Sequence, residues 1–367
     1  MYSIDPLQDS RWASFVARHP RGSVFHTPSW LEALRRTYGY RPVAFTSSPP
    51  GRELSDGIAF CEVKSWVNGS RLVSLPFSDH CHPLLEYAED LAAFTAGLRE
   101  YRSHSDWQYV EIRLVGQTDL DGDGKALLVK GEGPRYNSIP FRVNGCTSGF
   151  AKYGEYNFHR INLRPDPGTL FSNFHKSCIQ RKIQRAEREG LEYEAGRSES
   201  DLRKFYRLLL LTRRRHGLPP QPLAWFRNLR DLFGESFMIR VASKGGAPIA
   251  AILTLLHKST LVYKYGCSDA AFHRLGAMPM LFWKAIQDGK QQGAEEFDLG
   301  RSDLDEPGLT AFKQHLGAAC SKLTYIRLGR SRSEASTADL RFVRAAFARM
   351  PGRLAQMAGR VLYKHMG

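Results

Sequence analysis

"YKYGCSDAAFHRLGAMPMLFWKAIQDG", residues 263–289, passes from a strand through a glycine-containing loop into a helix. Pro279 suits the first position of that helix, because its missing N–H would be unpaired there anyway. Around it Met278, Leu281, Phe282, Ala285, Ile286 and Gly289 recur at i, i+3, i+4, i+7, i+8 and i+11, a stripe that packs on a sheet. The core accounts for the stripe but not for the loop ahead of it. The loop's N–H groups and the helix start carry partial positive charge, suited to an anion or a polarised carbonyl.

Outward from this stretch the chain repeats itself. Strands "IAAILTLLH" (249–257) and "LVYKYGC" (261–267) lead into the loop and helix, and the strand "EEFDL" (295–299) follows. The same order stands at residues 58–115: two strands, a polar loop "PFSDHCHP", a helix from about Leu84 to Tyr101, and the strand "YVEIRLV". Both loops carry Ser-Asp, at Ser78-Asp79 and Ser268-Asp269. The repeat predicts duplicated α/β domains over 1–158 and 159–330. A basic tail, 331–367, follows as two short helices broken at Pro351-Gly352.

The chain has 367 residues, 42% hydrophobic and 24% charged, the proportions of a globular protein of two domains. No apolar run reaches the length of a membrane span, and the first residues show no secretion signal, so a cytoplasmic location is expected. Six scattered cysteines without a CxxC pair suit reduced thiols. Net charge is +15, an excess that attracts polyanions or anionic lipid. It concentrates in "FHKSCIQRKIQRAEREGLEYEAG" (174–196), where Ile179, Ile183 and Ala186 make one helical face and Lys176, Arg181, Lys182, Arg185 and Arg188 load the rest. Such a helix is either a solvated face or a phosphate contact. From Arg330 the tail carries eight Lys/Arg against two Asp/Glu, including Arg341, Arg344, Arg349, Arg353, Arg360 and Lys364, which suits a peripheral contact with the inner face of an anionic membrane.

Several chemistries find no support. "DLDGDGKALLVK" (119–130) has calcium-loop positions 1, 3, 5 and 6 but Lys130 where a bidentate Glu is required, so a turn between strands is expected. Asp79 to His82 are consecutive and do not converge on one metal ion. They read as loop residues, with Ser78, Asp79 and His80 available to a substrate pocket. GxSxG, GxxxxGK[ST] and HExxH are absent.

"SVFHTPSWLEALRRTYGYRPV", "LPFSDHCHPL", "HKSCIQRKIQRAEREGLEYE" and "GAEEFDLGRSD…FKQHLGA", in that order over roughly residues 10–330, resemble the FemABX-like (BioF2-like) branch of the GNAT acyltransferase superfamily. The resemblance implies two tandem GNAT-like domains, each a mixed twisted sheet flanked by helices, with a substrate cleft along their junction. It implies transfer of an acyl group to an amine, with no permanently bound cofactor. The leading version takes an aminoacyl group from aminoacyl-tRNA to a cell-envelope or polysaccharide precursor. An acyl-CoA-dependent acyltransferase acting on an amino sugar or amino acid is the alternative. A non-catalytic module binding RNA or anionic lipid is the other.

Carried over residue by residue, Phe312-Lys313 matches a pair whose Lys lines the acyl-transfer site, where it would stabilise an oxyanion. The CoA-binding pattern [Q/R]-x-x-G-x-[G/A] falls on His273, Gly276 and Met278, of which only Gly276 fits. Near Trp30 the family's phosphate-binding Lys is replaced by Leu34, leaving Arg35 and Arg36 as the cations, with Arg181 as a further one. The reacting centre is expected where "LVYKYGC" splays from "EEFDL", near Tyr265, Gly266, Asp298 and Arg301. Asp79 is the candidate general base.

Overall fold

The strand–strand–helix–strand order is present twice in the computed structural model, which describes residues 1–66, 69–86, 90–103, 105–120, 126–129, 150–329 and 345–365. Arg341 and Arg344 of the tail lie outside those residues, as does the stretch 121–125 of the rejected calcium loop. Two units divide the chain: Met1–Asn157 with Ser321–Glu334 and Tyr363–Gly367, and Phe158–Cys320 with Ala335–Leu362.

Up to the first unit's boundary the elements are β1 (Tyr2–Ile4), α1 (Ser10–Arg18), α2 (Pro28–Tyr38), β2 (Arg41–Thr46), β3 (Ile58–Ser65), β4 (Gly69–Val73), α3 (Asp90–Ser103) and β5 (Trp107–Val115). Then come β6 (Gln117–Leu120), β7 (Ala126–Val129) and β8 (Phe150–Asn162). The remainder adds α4 (Pro167–Ser172), α5 (Arg181–Arg188), β9 (Glu192–Gly196), α6 (Glu199–Arg215), α7 (Leu223–Phe233), β10 (Phe237–Lys244), β11 (Ala247–His257) and β12 (Thr260–Ser268). Last are α8 (Ala277–Gln291), β13 (Glu296–Asp303), α9 (Pro307–His315), β14 (Ala319–Gly329) and α10 (Gly352–Leu362).

The two copies share their pairing. In the first, β3 and β4 are antiparallel and β4 and β5 parallel, with α3 as the crossover. In the second, β11 and β12 are antiparallel and β12 and β13 parallel, with α8 as the crossover. Among the described residues the helix runs Asp90–Ser103, while Leu84, its expected start, is held in a β-bridge to Gly57. Helix α8 begins at Ala277, two residues before Pro279, which any orphan N–H position of the first turn accommodates. Leu281, Phe282, Ala285 and Ile286 are buried as their spacing predicts, each large side chain worth about 1.5–3 kcal/mol.

One strand departs from the linear reading. Residues 319–329 follow the second copy in sequence, yet β14 pairs antiparallel with β5, from Leu323 opposite Val115 to Gly329 opposite Tyr109. This long-range pairing places the end of the 159–330 segment in the first unit.

Candidate functional site

In the second unit β12 and β13 pair only from Thr260 opposite Glu296 to Val262 opposite Asp298. Beyond that point both strands continue without pairing each other, β12 to Ser268 and β13 to Asp303. A pocket of about 310 Å³ lies alongside, with Tyr263, Ser268, His273, Phe282, Phe312 and Lys313 among its walls. The sequence reading placed the reacting centre at this splay.

A bulge decides which tyrosine faces the pocket. Leu253 pairs with Tyr265 and Thr254 with Tyr263, so Lys264 is an extra residue on β12. Strict alternation would put both tyrosines on one face; the bulge puts them on opposite faces. Tyr263 packs on Phe282 and lines the pocket. Tyr265 is buried against Phe205 and Phe226, and its hydroxyl accepts a 2.9 Å bond from Trp225 Nε1. Tyr265 is therefore a core residue of the other face, which corrects its expected place at the reacting centre. Gly266 answers to Tyr263: a β-carbon there would collide with the Tyr263 hydroxyl.

Lys313 is 2% exposed. Its Nζ donates to the carbonyls of Gly300 (3.1 Å) and Arg301 (2.8 Å), and so ties α9 to the part of β13 beyond its pairing with β12. Asp298, buried at the last paired position, accepts from Gly300 N at 2.7 Å. Asp298, Arg301 and Lys313 are thus brought together, with Phe312 packed edge-on to Phe282 beside them. The solvent-facing charge that an isolated Lys would ordinarily supply is not what Lys313 is.

His159 on β8 carries no local signal in the sequence, yet it belongs to this neighbourhood. It is fully buried, and neither ring nitrogen has a hydrogen-bond partner among the described residues. Burial first, and the Lys313 charge second, push its pKa down to about 4.

The loop before α8 is built as a short 3₁₀ turn, Ala270–Leu275, capped by Asp269, whose carboxylate accepts from Ala271 N at 3.0 Å. Ser268 Oγ lies 2.9 Å from His273 Nε2. Burial, then the charges of Arg215 and Lys182, hold His273 below the usual imidazole range. Gly276 ends the turn at φ +81°, and a β-carbon there would collide with the Lys182 carbonyl oxygen of α5. The glycine that fits the CoA-binding pattern is thus required by helix packing. Arg185 closes the same contact by donating to the Arg274 carbonyl at 3.3 Å. Arg181 is exposed at the start of α5.

The first unit treats its corresponding gap differently. Past Val73, Ser74 N still bonds Glu111 O at 2.9 Å. The polar loop then turns back so that Cys81 bridges Arg113 on β5. Arg113 holds the loop through the Leu75 and Ser78 carbonyls (2.9 and 2.8 Å), and Tyr325 donates to the Asp79 carbonyl at 2.5 Å. Ser78 is buried with its hydroxyl on Leu75 O, and His80 is buried edge-on to Phe25. These residues shut the gap in the first unit's sheet; Ser78 and His80 are corrected from substrate contacts to parts of that closure. Trp30 is fully buried against Phe25, a core residue where a binding residue was expected. Arg35 and Arg36 are both paired with Glu32, at i+3 and i+4 on α2.

Among the described side chains His175, Cys178 and His315 form a cluster with metal-ligand character, which the sequence reading did not single out.

Comparison with known proteins agrees with this geometry. Residues 173–314, which include α5, the splayed strands, the loop and Lys313, match the family model of the acetyltransferase (GNAT) domain. Two α/β copies with one open splay define the class: a tandem GNAT-fold protein carrying an acyltransferase domain. Within it the chain is similar to proteins of the FemABX-like branch. It is 27% identical over 153 residues to the UDP-N-acetylmuramoylpentapeptide-lysine N(6)-alanyltransferase of Weissella viridescens, a match over 41% of this chain and 45% of that protein. The chain is thus matched to less than half the length of that curated relative. The crystal structure of FemX superposes with a TM-score of 0.63 at 14% identity, covering 88% of this chain and 97% of that one. A tandem GNAT protein from the clavulanic acid biosynthesis pathway gives 0.53 at 10% identity, over 90% and 98%.

Proposed function

We propose that the protein is an N-acyltransferase that moves an aminoacyl group from aminoacyl-tRNA to an amine of a cell-envelope precursor, with the chemistry in the second unit's pocket. The observation that carries this reading is Lys313, a buried ammonium fixed in the wall of a mainly apolar pocket at the β12/β13 splay. Attack of an amine on an ester carbonyl builds negative charge on the carbonyl oxygen. A cation already fixed in a low-dielectric wall stabilises that charge without reorganising. The pocket admits a small acyl group, with Phe312 and Phe282 as its apolar contact.

The nucleophilic amine must be neutral. His273, on the pocket wall and held below the usual imidazole range, is better placed to take its proton than Asp79, whose loop closes the other unit's gap. The similarity to the Weissella alanyltransferase supports a peptidoglycan-type precursor as acceptor.

Two observations favour tRNA over acyl-CoA as donor. The start of α8 abuts Lys182 and contains Pro279, which reduces the N–H groups available to a pyrophosphate. Arg181, Lys182, Arg185 and Arg188 stand exposed along α5, a basic row for a nucleic-acid backbone, in a chain of net charge +15. The test supplies purified protein with labelled aminoacyl-tRNA or labelled acyl-CoA and a muropeptide acceptor, and measures which label reaches the acceptor amine. Transfer from acyl-CoA alone refutes this donor.

A cytoplasmic enzyme acting on envelope precursors works beside a membrane. Among the described residues no helix is long and apolar enough to cross one. Helix α10 instead exposes Leu354, Met357 and Val361 on one face, with exposed Arg360 and Lys364 flanking them. This arrangement suits peripheral contact with anionic lipid.

A further inference from the structure

The cluster His175, Cys178 and His315 lies outside the pocket's walls and has no part in the chemistry above. The three possible ligand atoms lie within 4.8 Å of one another. They come from two elements. His175 and Cys178 belong to a single π-helical turn, Lys176–Gln180, with His175 as its N-cap. His315 is the last residue of α9. The two are already joined by a 2.8 Å bond from His175 N to His315 O, and their rings touch at a centroid separation of 4.4 Å.

The π-turn creates this convergence. In it His175 O accepts from both Ile179 N and Gln180 N, a widened turn of the kind that recurs at functional sites. His175 Nδ1 accepts from Cys178 N at 3.2 Å and lies 3.3 Å from Ser177 Oγ; Cys178 Sγ lies 3.8 Å from Ser177 Oγ. These contacts are long and involve no charged partner, so a metal ion would displace little by taking them over. Cys178 is partly exposed, and Ile179 beside it is fully buried, anchoring the turn.

We infer that His175, Cys178 and His315 form a Zn²⁺ site with three protein ligands and a fourth position open to solvent. One thiolate and two imidazoles match the ligand preference of zinc, a borderline-soft ion that takes sulfur and nitrogen in tetrahedral geometry. On binding, the Cys178 S–H bond breaks, its proton goes to solvent, and the sulfur's electron pair forms the S–Zn bond. No electron changes hands. The consequence follows from position. The site clasps the end of α9, two residues beyond Lys313, to the turn that leads into α5 and Lys182, and both lysines line the pocket. Zinc would thus stiffen two walls of the pocket at once without touching a substrate.

Cobalt(II) titration of the full-length, metal-stripped protein tests this directly, because a cysteine thiolate on cobalt gives a ligand-to-metal charge-transfer band. The expected result is one cobalt per chain with that band, displaced by stoichiometric zinc. Cys178→Ser should abolish the band, while Cys320→Ser, an exposed thiol elsewhere, should keep it. His175→Asn preserves the helix cap, since Asn is a good N-cap residue, yet should weaken zinc binding by more than about tenfold. His315→Gln should do the same. Circular dichroism of each variant separates loss of a ligand from loss of fold. A metal-stripped wild type that folds but shows no thiolate band refutes the site, and so does a band that survives in Cys178→Ser.

Discussion

The backbone of Gly276 lies against the carbonyl oxygen of Lys182, so that a β-carbon at 276 would overlap it. The neighbour is backbone and cannot swing aside, and φ at 276 is +81°. Gly276→Ala should therefore cost at least about 2 kcal/mol, from left-handed strain plus displacement of α5 from α8. Gly190→Ala separates the two causes: φ there is +64° with nothing near the missing Cβ, so about 1 kcal/mol of strain alone is expected. Urea unfolding of both variants checks this, and equal losses would show that the Lys182 contact yields freely.

His273 should set the acid limb of the reaction. As a neutral base below the usual imidazole range, it works above its pKa and fails as pH drops through it. His273→Asn should lower kcat/KM by about a hundredfold at neutral pH and remove that limb from the pH profile. A variant that keeps the limb assigns the proton to another group.

Stability should fall on mild acidification. Burial and Lys313 hold His159 down to about 4, and burial, with Arg21 and nearby histidines, holds His82 down to about 3. Unfolded, both titrate near pH 6.5. Below that pH the unfolded chain binds protons that the folded chain refuses, so stability is lost as pH falls, at about 1.4 kcal/mol per pH unit for each histidine. Denaturant unfolding at pH 7.5, 6 and 5 measures the slope. His159→Leu should flatten its share of it, and a flat wild-type profile above pH 5 would rule out both buried neutral histidines.

How far the sequence reveals this molecule depends on the range of the interaction. The duplicated order was legible because alternating strands and the 281–286 stripe are local patterns, and the splay follows from that order. The pairing of Arg35 and Arg36 with Glu32 is equally local, since i+3 and i+4 neighbours on one helix face meet, yet the sequence reading passed over it and offered both as binding cations. Tyr263 was missed because the bulge at Lys264 leaves no mark in the alternation. His159 was missed because a lone His in a strand acquires meaning only from Lys313, brought to it by the fold. The closure of the first unit's gap rests on Arg113 and Tyr325, distant in sequence from the loop they hold.

The tail is better probed by point substitution than by deletion. Truncation at 331 would be expected to spare the fold if the tail were merely basic and helical. Yet Tyr363 is buried and its carbonyl accepts from Tyr40 Oη at 2.5 Å, and Gly359 lies against the Pro220 carbonyl. Replacing exposed Leu354, Met357 and Val361 with Ser should leave folding intact and reduce sedimentation with acidic vesicles by at least about tenfold, each lost apolar contact weakening the anchor. Equal vesicle binding by the triple variant would remove α10 from the membrane account.

The measurement that bears most directly on the central claim is single-turnover transfer from labelled aminoacyl-tRNA to a muropeptide amine, by wild type and by Lys313→Ala. Removing one preorganised charge at a developing oxyanion typically costs on the order of 3 kcal/mol, roughly a hundredfold in rate. Because Lys313 also ties α9 to β13, the variant should lose stability as well, so rates are compared at a temperature where circular dichroism shows it folded. The account predicts transfer by the wild type and a loss of about a hundredfold in the single-turnover rate, with the acceptor concentration for half-maximal rate little changed. A folded Lys313→Ala protein that turns over at the wild-type rate would contradict it.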